Sequence, residues 1–351
     1  MAGRLQLRRG VVVSAEPLTV EVDGERRRAW ADEVLLGEMR EGDEVVVNVA
    51  ALDLGLGSGG FDVVHVNLTR GLDAQPAGSE HVIKLNYTSL QHPVVPVEQS
   101  PCLSGAMRPK GTAQLGLPPV LVLPLHGHLA PAVWAVARAA PGLRVGYVQT
   151  AGGALPGSLS RDVAELRERK LLCGHVTAGP AYGGEHEALS TVGAIDAGVG
   201  SLDWDVVLVG PGPGIIGSET EYGHGGIAAV DSAHAALSLR LPTLISPRLS
   251  SSDPRERHIG LSHHTYTVLE LLLDRVEVAV PTGFDGVAAE LRSAAGDRHT
   301  LHSAVADLDG YAAAGLPATT MGRGLAEDPL FFAAPLAAGG ALAGVALRGK
   351  G

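Results

Sequence analysis

The chain has 351 residues, 45% hydrophobic and 19% charged, which suits one large or two ordinary globular domains and excludes a disordered protein. Its formal net charge of -11 counts against nucleic acid as a partner, because phosphate-backbone binding relies on clustered lysine and arginine. The two cysteines, Cys102 and Cys173, fit neither a zinc ribbon nor a disulfide framework, and no apolar signal segment opens the sequence, so we predict a cytoplasmic protein.

Residues 1–70 predict a small β-barrel. Five short runs of strand character are separated by turns, one of them the hairpin signal Asp23-Gly24; the runs are 9–13, 18–22, 26–30, 43–49 and 61–67. Such a barrel would be SH3-like or OB-like, and the fold alone implies no function. Residues 71–118 are rich in proline, glycine and polar residues, and we interpret them as a connecting segment with a candidate strand at 81–86.

Residues 119–300 alternate between buried strands and amphipathic helices. The predicted strands are 120–125, 143–149, 175–178, 204–209, 243–246 and 276–280. The predicted helices are 130–140, 159–170, 185–196, 226–239 and 259–273. This alternation predicts an α/β fold, with a parallel, doubly wound (Rossmann-like) sheet that carries helices on both faces.

Residues 301–351 predict a C-terminal extension that packs on the α/β domain. Its run 330–347 is uncharged and long enough to span a membrane. Because the run contains Pro335, Gly339 and Gly340 and is dominated by alanine, a packed pair of helices is favoured, and no membrane is expected.

Histidines are concentrated after the predicted strands. Parallel strands end at one edge of a sheet, so we expect these loops to converge there. The candidate catalytic residues are His126, Glu185, His224, His258 and His263. Imidazoles that meet in this way indicate proton transfer or a metal site.

A divalent metal stays open as a cofactor. Its candidate ligands are His126, His128 and His224, since His126-Gly-His128 at a strand end would place two imidazoles on one side. No strong zinc spacing is present, however, and hydrogen-bonded structural histidines are the competing interpretation. Of the adjacent His263 and His264, only one is expected to face the sheet edge.

A glycine loop follows the strand at 204–209. Gly212-Pro-Gly-Ile-Ile-Gly217 fits the dinucleotide pattern G-x-G-x-x-G, but the predicted helix begins nine residues later and the strand 243–246 lacks the acidic residue that would hold a ribose. We therefore expect a bound anion rather than a nicotinamide cofactor. The candidate ligand-binding residues are Gly152, Gly153, Gly212, Gly214, Gly217 and Arg257. The alternative for Arg257 is a salt-bridged charge in the first turn of a helix that has Asp253 as its N-cap and Pro254 at its first position.

Five stretches together resemble an uncharacterised bacterial domain-of-unknown-function family: 51–60, 125–131, 147–156, 210–226 and 253–265. The resemblance spans most of the chain from 51 to 265 and implies no activity. The resemblance implies that the family need not have a histidine at the position of His128, which weakens the metal pair formed with His126. Residues 127–132 also resemble the first glycine loop of two-domain sugar-nucleotide glycosyltransferases, a minor alternative because those enzymes need two Rossmann-like halves.

These observations predict an enzyme, a hydrolase or transferase, that acts on a small anionic molecule such as a phosphorylated one by histidine acid-base or metal-assisted chemistry. The alternative is a non-enzymatic metabolite-binding or scaffold protein. Shifted imidazole titration would favour the enzyme. A homo-oligomer stays open.

Overall fold

The computed structural model describes residues 3–56, 59–72, 78–99, 116–218 and 220–350. Cys102 and the stretches 73–77 and 100–115 of the predicted connecting segment lie outside the described residues. The chain divides into two compact units, Met1–His81 and Val82–Gly351.

The first unit contains the predicted barrel. Its strands are β1 (Leu7–Ala15), β2 (Leu18–Val22), β3 (Glu25–Trp30), β4 (Glu44–Asn48) and β5 (Asp62–Asn67), with short helices α1 (Glu33–Leu36) and α2 (Ala50–Asp53). The barrel closes in the order β1-β2-β3-β5-β4. Val20, Val45 and Val47 are fully buried inside it, because alternate residues of a strand point to one face. The predicted barrel is confirmed.

The strands of the second unit form one large sheet and several small pairs. They are β6 (Val82–Lys84), β7 (His92–Val94), β8 (Val120–Val122), β9 (Val145–Thr150), β10 (Gly174–Ala178), β11 (His186–Ala188), β12 (Val206–Pro211), β13 (Thr243–Ile245), β14 (Leu249–Ser250), β15 (Gly260–Leu261), β16 (Glu277–Pro281), β17 (Thr300–Ala304), β18 (Thr319–Thr320) and β19 (Arg323–Gly324), of which β6/β7, β14/β15 and β18/β19 are separate antiparallel pairs. The other eight form one sheet in the order β11-β10-β9-β12-β8-β13-β16-β17, and every pair in it is parallel.

Helices cover both faces of this sheet. They are α3 (Leu129–Ala139), α4 (Arg161–Glu168), α5 (Thr191–Val199), α6 (Ala228–Ser238), α7 (His263–Leu271), α8 (Asp285–Ala295), α9 (Leu308–Ala313) and α10 (Pro329–Lys350). In one core layer the side chains of α5 to α8 pack against strand residues such as Val207. In the other, α3, α4, α9 and most of α10 pack against strand residues on the opposite face of the sheet, such as Leu208. The predicted doubly wound α/β fold is confirmed.

The edges of the sheet differ from the prediction. The helix predicted at 185–196 begins only at Thr191, because His186–Ala188 pairs with β10 as an edge strand. At the other edge Thr300–Ala304 adds a strand that the sequence pattern did not indicate. Both edge strands contain polar residues and are only partly buried, so they lack the apolar run by which the central strands were recognised.

The predicted C-terminal helix pair is a single helix, α10. Gly339 does not end it: a Cβ there would lie 2.2 Å from the Ala132 backbone oxygen, so the glycine permits close approach to α3. The stretch Pro329–Gly349 is long and apolar enough to cross a membrane, but 78% of its most apolar window is buried inside the protein, as in the core helix of a soluble domain.

Candidate functional site

A cavity of about 480 Å³ lies at the carboxyl ends of the central strands β12, β8 and β13. The loop after β8 contributes Leu125, His126 and Gly127, and the longer loops after β12 and β13 contribute most of the remaining lining. The helix that follows β8 packs on one face of the sheet, and the helices that follow β12 and β13 pack on the other. Connections that diverge in this way open a crevice, which is where doubly wound sheets bind their ligands.

Four imidazoles meet in this cavity: His224, His258, His263 and His264. The His224 and His264 rings stack with centroids 3.6 Å apart and planes 4° from parallel. The His263 centroid lies 5.6 Å from that of His224, 5.0 Å from that of His258 and 4.4 Å from that of His264. The cluster joins residues that are up to 40 positions apart in the sequence, from 224 to 264.

Both adjacent histidines, His263 and His264, line the cavity, so the prediction that only one of them faces the sheet edge is wrong. They open α7, whose N-cap is Ser262, with the Ser262 oxygen accepting a hydrogen bond from the His264 backbone N–H. The helix begins at the cavity, and side chains of a first turn spread around the helix end rather than along one of its sides. The Ser262 hydroxyl also lies 2.7 Å from His258 Nδ1 and so fixes that ring.

Arginines supply the positive charge of the cavity. Arg248, Arg255 and Arg257 line it, and Arg248 is almost fully buried. The Arg248 guanidinium donates to His264 Nδ1 at 2.9 Å and approaches Asp253 at 3.4 Å. Burial works against the charged form of Asp253, but hydrogen bonds from Arg255 outweigh it and hold the pKa of that carboxyl below its usual range. Asp253 therefore stays ionised and aligns the guanidiniums.

Burial favours the uncharged form of all four imidazoles. Burial, and after it the neighbouring Arg248, lowers the pKa of His258 to about 3 and that of His264 to about 2. Burial followed by His263 lowers the pKa of His224, and burial followed by Arg257 lowers the pKa of His263. Neutral imidazoles keep a lone pair, so the cluster can accept a proton or bind a metal.

Several buried ring nitrogens of the cluster have no hydrogen-bond partner among the described residues. They are His224 Nδ1, His224 Nε2 and His263 Nε2. The backbone of Glu221 raises the pKa of His224, although this contact does not meet the distance and angle criteria of a hydrogen bond. An unpartnered buried polar atom costs about 1–3 kcal/mol, so its presence at a cavity indicates a ligand.

His126 also lines the cavity, but both of its ring nitrogens are engaged. Nδ1 lies 3.1 Å from the Pro211 carbonyl, which can only accept, so Nδ1 carries the proton and Nε2 faces the Ser160 hydroxyl at 2.7 Å. Burial lowers the pKa of His126 to about 4. Ser160 is the N-cap of α4.

His128, the other predicted ligand of that pair, is directed elsewhere. Its Nδ1 lies 2.9 Å from the Ser246 hydroxyl, and its ring meets the edge of Phe331. His126–His128 forms a single 3-10 turn, in which residues two apart point in different directions, so the two imidazoles have separate partners.

The remaining predicted residues fall into three places. Gly214, Gly217 and Arg257 line the cavity with the imidazoles. Gly152 and Gly153 line a second cavity of about 540 Å³ that shares Ile216, Gly217 and His224 with the first. Gly212 packs against the Ala154 carbonyl, and Glu185 is exposed and paired with Arg167 at 2.8 Å, away from the imidazoles.

Four ionisable residues of the cavity were not among the predicted site residues: Asp162, Arg248, Arg255 and His264. Burial raises the pKa of Asp162 to about 6, a value suited to proton transfer near neutral pH. Asp162 looks like an ordinary acidic residue in the first turn of a helix, so no sequence signal distinguished it. His264 could have been found from its adjacency to His263 in a helix that begins at the sheet edge.

The family described as "Protein of unknown function (DUF3866)" matches residues 28–339. No curated protein and no solved structure matches the chain.

Proposed function

Since the chain belongs to the DUF3866 family, whose description assigns no activity, we propose its function from the cavity: an enzyme that hydrolyses or transfers a small phosphorylated molecule. The observation that carries this proposal is that three guanidiniums and five imidazoles, four of them clustered, line one cavity of about 480 Å³. Arginine matches the oxygens of a phosphate group, whereas neutral imidazole accepts protons.

The guanidiniums would bind the anion and prepare the imidazoles for catalysis. Arg248 is the main charge that lowers the pKa of His258 and His264, after burial. A bound phosphate would offset that positive charge and raise both pKa values toward neutrality. The imidazoles would then become effective bases only when the substrate is present.

A hydrolytic step can be written with residues of this cavity. His258, whose ring is fixed by Ser262, takes a proton from the attacking water as the new P–O bond forms. The ester P–O bond breaks, and protonated Asp162 gives its proton to the leaving alcohol, so that the products are an alcohol and inorganic phosphate. In a transferase an acceptor hydroxyl replaces the water.

Phosphate binding tests the first half of the proposal. Inorganic phosphate should bind in calorimetry, and Arg257→Ala should weaken it roughly 10- to 100-fold, the usual cost of one charge-assisted hydrogen bond. Arg292→Ala, an exposed arginine on α8 outside the cavity, should leave the affinity unchanged. Equal affinity in the wild type and Arg257→Ala would contradict the assignment of the anion to this cavity.

Turnover tests the second half. Hydrolysis of para-nitrophenyl phosphate, or of small phosphomonoesters followed by phosphorus NMR, should fall roughly 100-fold or more in kcat for His258→Ala. Arg257→Ala should act mainly on KM. Phosphate binding without turnover of any ester would support the non-enzymatic binding protein instead.

A further inference from the structure

We infer that His224, His263 and His264 hold one divalent transition-metal ion of the zinc type. Each ring offers a nitrogen, and the three nitrogens lie within 4.8 Å of one another. The inference deepens the proposed function, and rests on it in assigning the ion a catalytic role beside the anion. Of the metal candidates indicated by the sequence, only His224 belongs to this group.

The strongest observation is His224 itself. It is 8% exposed, lines the cavity, and has neither ring nitrogen hydrogen-bonded among the described residues. A neutral imidazole has one N–H and one lone pair, so a partner is missing on both sides of this ring. His263 Nε2 also has no hydrogen-bond partner among the described residues. Two neighbouring rings in one cavity therefore contain unpartnered nitrogens.

The arrangement of the three rings must change when an ion binds. Zinc–nitrogen bonds of 2.0–2.1 Å place tetrahedral ligand atoms about 3.4 Å apart, and the three nitrogens lie within 4.8 Å of one another. The His224 and His264 planes are nearly parallel and 3.6 Å apart at their centroids, and one ion cannot lie in both planes. Rotation of one ring is therefore part of binding.

Metal binding also requires a change in the contacts of Arg248. His264 Nδ1 accepts a hydrogen bond from the Arg248 guanidinium, so that lone pair becomes available only when the guanidinium is released. Released Arg248 could then bind the phosphate oxygens. A bound anion would therefore strengthen metal binding without being required for it, because its charge offsets the repulsion between a divalent cation and the nearby arginines.

Three histidine ligands leave the fourth position of a tetrahedral ion open. This is the arrangement of catalytic rather than structural zinc sites, in which the open position holds a water of lowered pKa. The group of nitrogens within 4.8 Å of one another does not include one from His258. His258 would then serve as the proton acceptor beside the ion, with its ring fixed by Ser262.

Cobalt(II) is the probe, because its visible absorption reports nitrogen coordination. One Co²⁺ should bind per chain in phosphate-free buffer and be displaced by Zn²⁺. His224→Ala, His263→Ala and His264→Ala should each weaken binding by at least about 100-fold, since even second-shell changes cost 10- to 100-fold. His258→Ala, from the same cluster, and His186→Ala, from the edge strand β11, should still bind one ion.

A readout on the wild type keeps the test independent of how the variants fold. X-ray absorption of the zinc-loaded protein should count three imidazole ligands. Absence of binding at about 1 mM Co²⁺, a count other than three, or equal loss in His258→Ala would overturn the site, and ordered water would then be the partner of the orphaned nitrogens. Phosphate binding by metal-free protein, lost in Arg257→Ala, would leave the proposed function standing without the metal.

Discussion

Asp162 has an environment that its position in the sequence does not suggest. It occupies the first turn of α4 and lines the cavity, and burial raises its pKa to about 6. A pKa raised on folding means that the protonated form is favoured in the folded state. The carboxyl therefore contributes stability fully below its unfolded pKa of about 3.9, and that contribution is lost as the pH rises through about 6.

For this reason the substitution Asp162→Asn should both stabilise the protein and inactivate it. The amide is neutral at all pH values, so we expect a free energy of unfolding about 2 kcal/mol higher at pH 8 and little change at pH 4. Urea unfolding at the two pH values measures this. Activity should fall roughly 100-fold if Asp162 is the general acid.

The exposed Asp309→Asn in α9 is the matched control and should change stability by less than about 0.5 kcal/mol. A loss of stability in Asp162→Asn at pH 8 would show that the carboxylate is compensated by a partner and would remove the basis for its acidic role.

Close approach of helices determines how the element α10 can be built. An added Cβ at Gly339 would meet the backbone of α3. An added Cβ at Gly344 would meet only the end of the Arg348 side chain, at 3.6 Å. The same substitution should therefore have opposite effects at the two positions of one helix. Gly339 is needed for packing, and Gly344 is not.

Gly339→Ala should lower the free energy of unfolding by about 1–3 kcal/mol, because its Cβ would overlap the Ala132 oxygen. Gly344→Ala should raise it by about 0.5–1 kcal/mol through helix propensity. Equilibrium unfolding in urea measures both. Stabilisation by Gly339→Ala would mean that α10 and α3 do not pack as closely as described.

At the scale of the whole molecule, α10 completes one of the two core layers. Phe331, Phe332, Leu336 and Leu342 are at most 1% exposed. Burial of each contributes about 1.5–3 kcal/mol, and the sum is comparable to the entire stability of an ordinary domain. A helix that is long enough for a membrane is in this protein part of the interior.

Removal of α10 should consequently prevent folding. A chain that ends at Asp328 should be insoluble or lack a cooperative unfolding transition, as judged by circular dichroism. A chain that ends at Ala346 keeps every buried residue of the helix and should fold. If the chain ending at Asp328 were soluble and folded, a detachable membrane anchor would become the better interpretation of α10.

Much of the architecture was available from the sequence by itself. The alternation of β-branched runs and amphipathic segments predicted the barrel and the parallel sheet, because residue periodicity near 2 or 3.6 is a local property of the chain. The rule that parallel strands end at one edge then placed His126, His224, His258 and His263 together at the cavity. The edge strands β11 and β17 were missed because their partly exposed residues show no such pattern.

The tertiary structure alone decided which of these groups interact. His126 and His128, two residues apart, bond separate partners, whereas His224 stacks on His264 across 40 positions of sequence. Asp162 likewise lines the cavity with residues distant in the chain, and burial raises its pKa. Local sequence determines the periodicity of an element, but hydrogen-bond partners, ring contacts and desolvation depend on where several loops come to lie together.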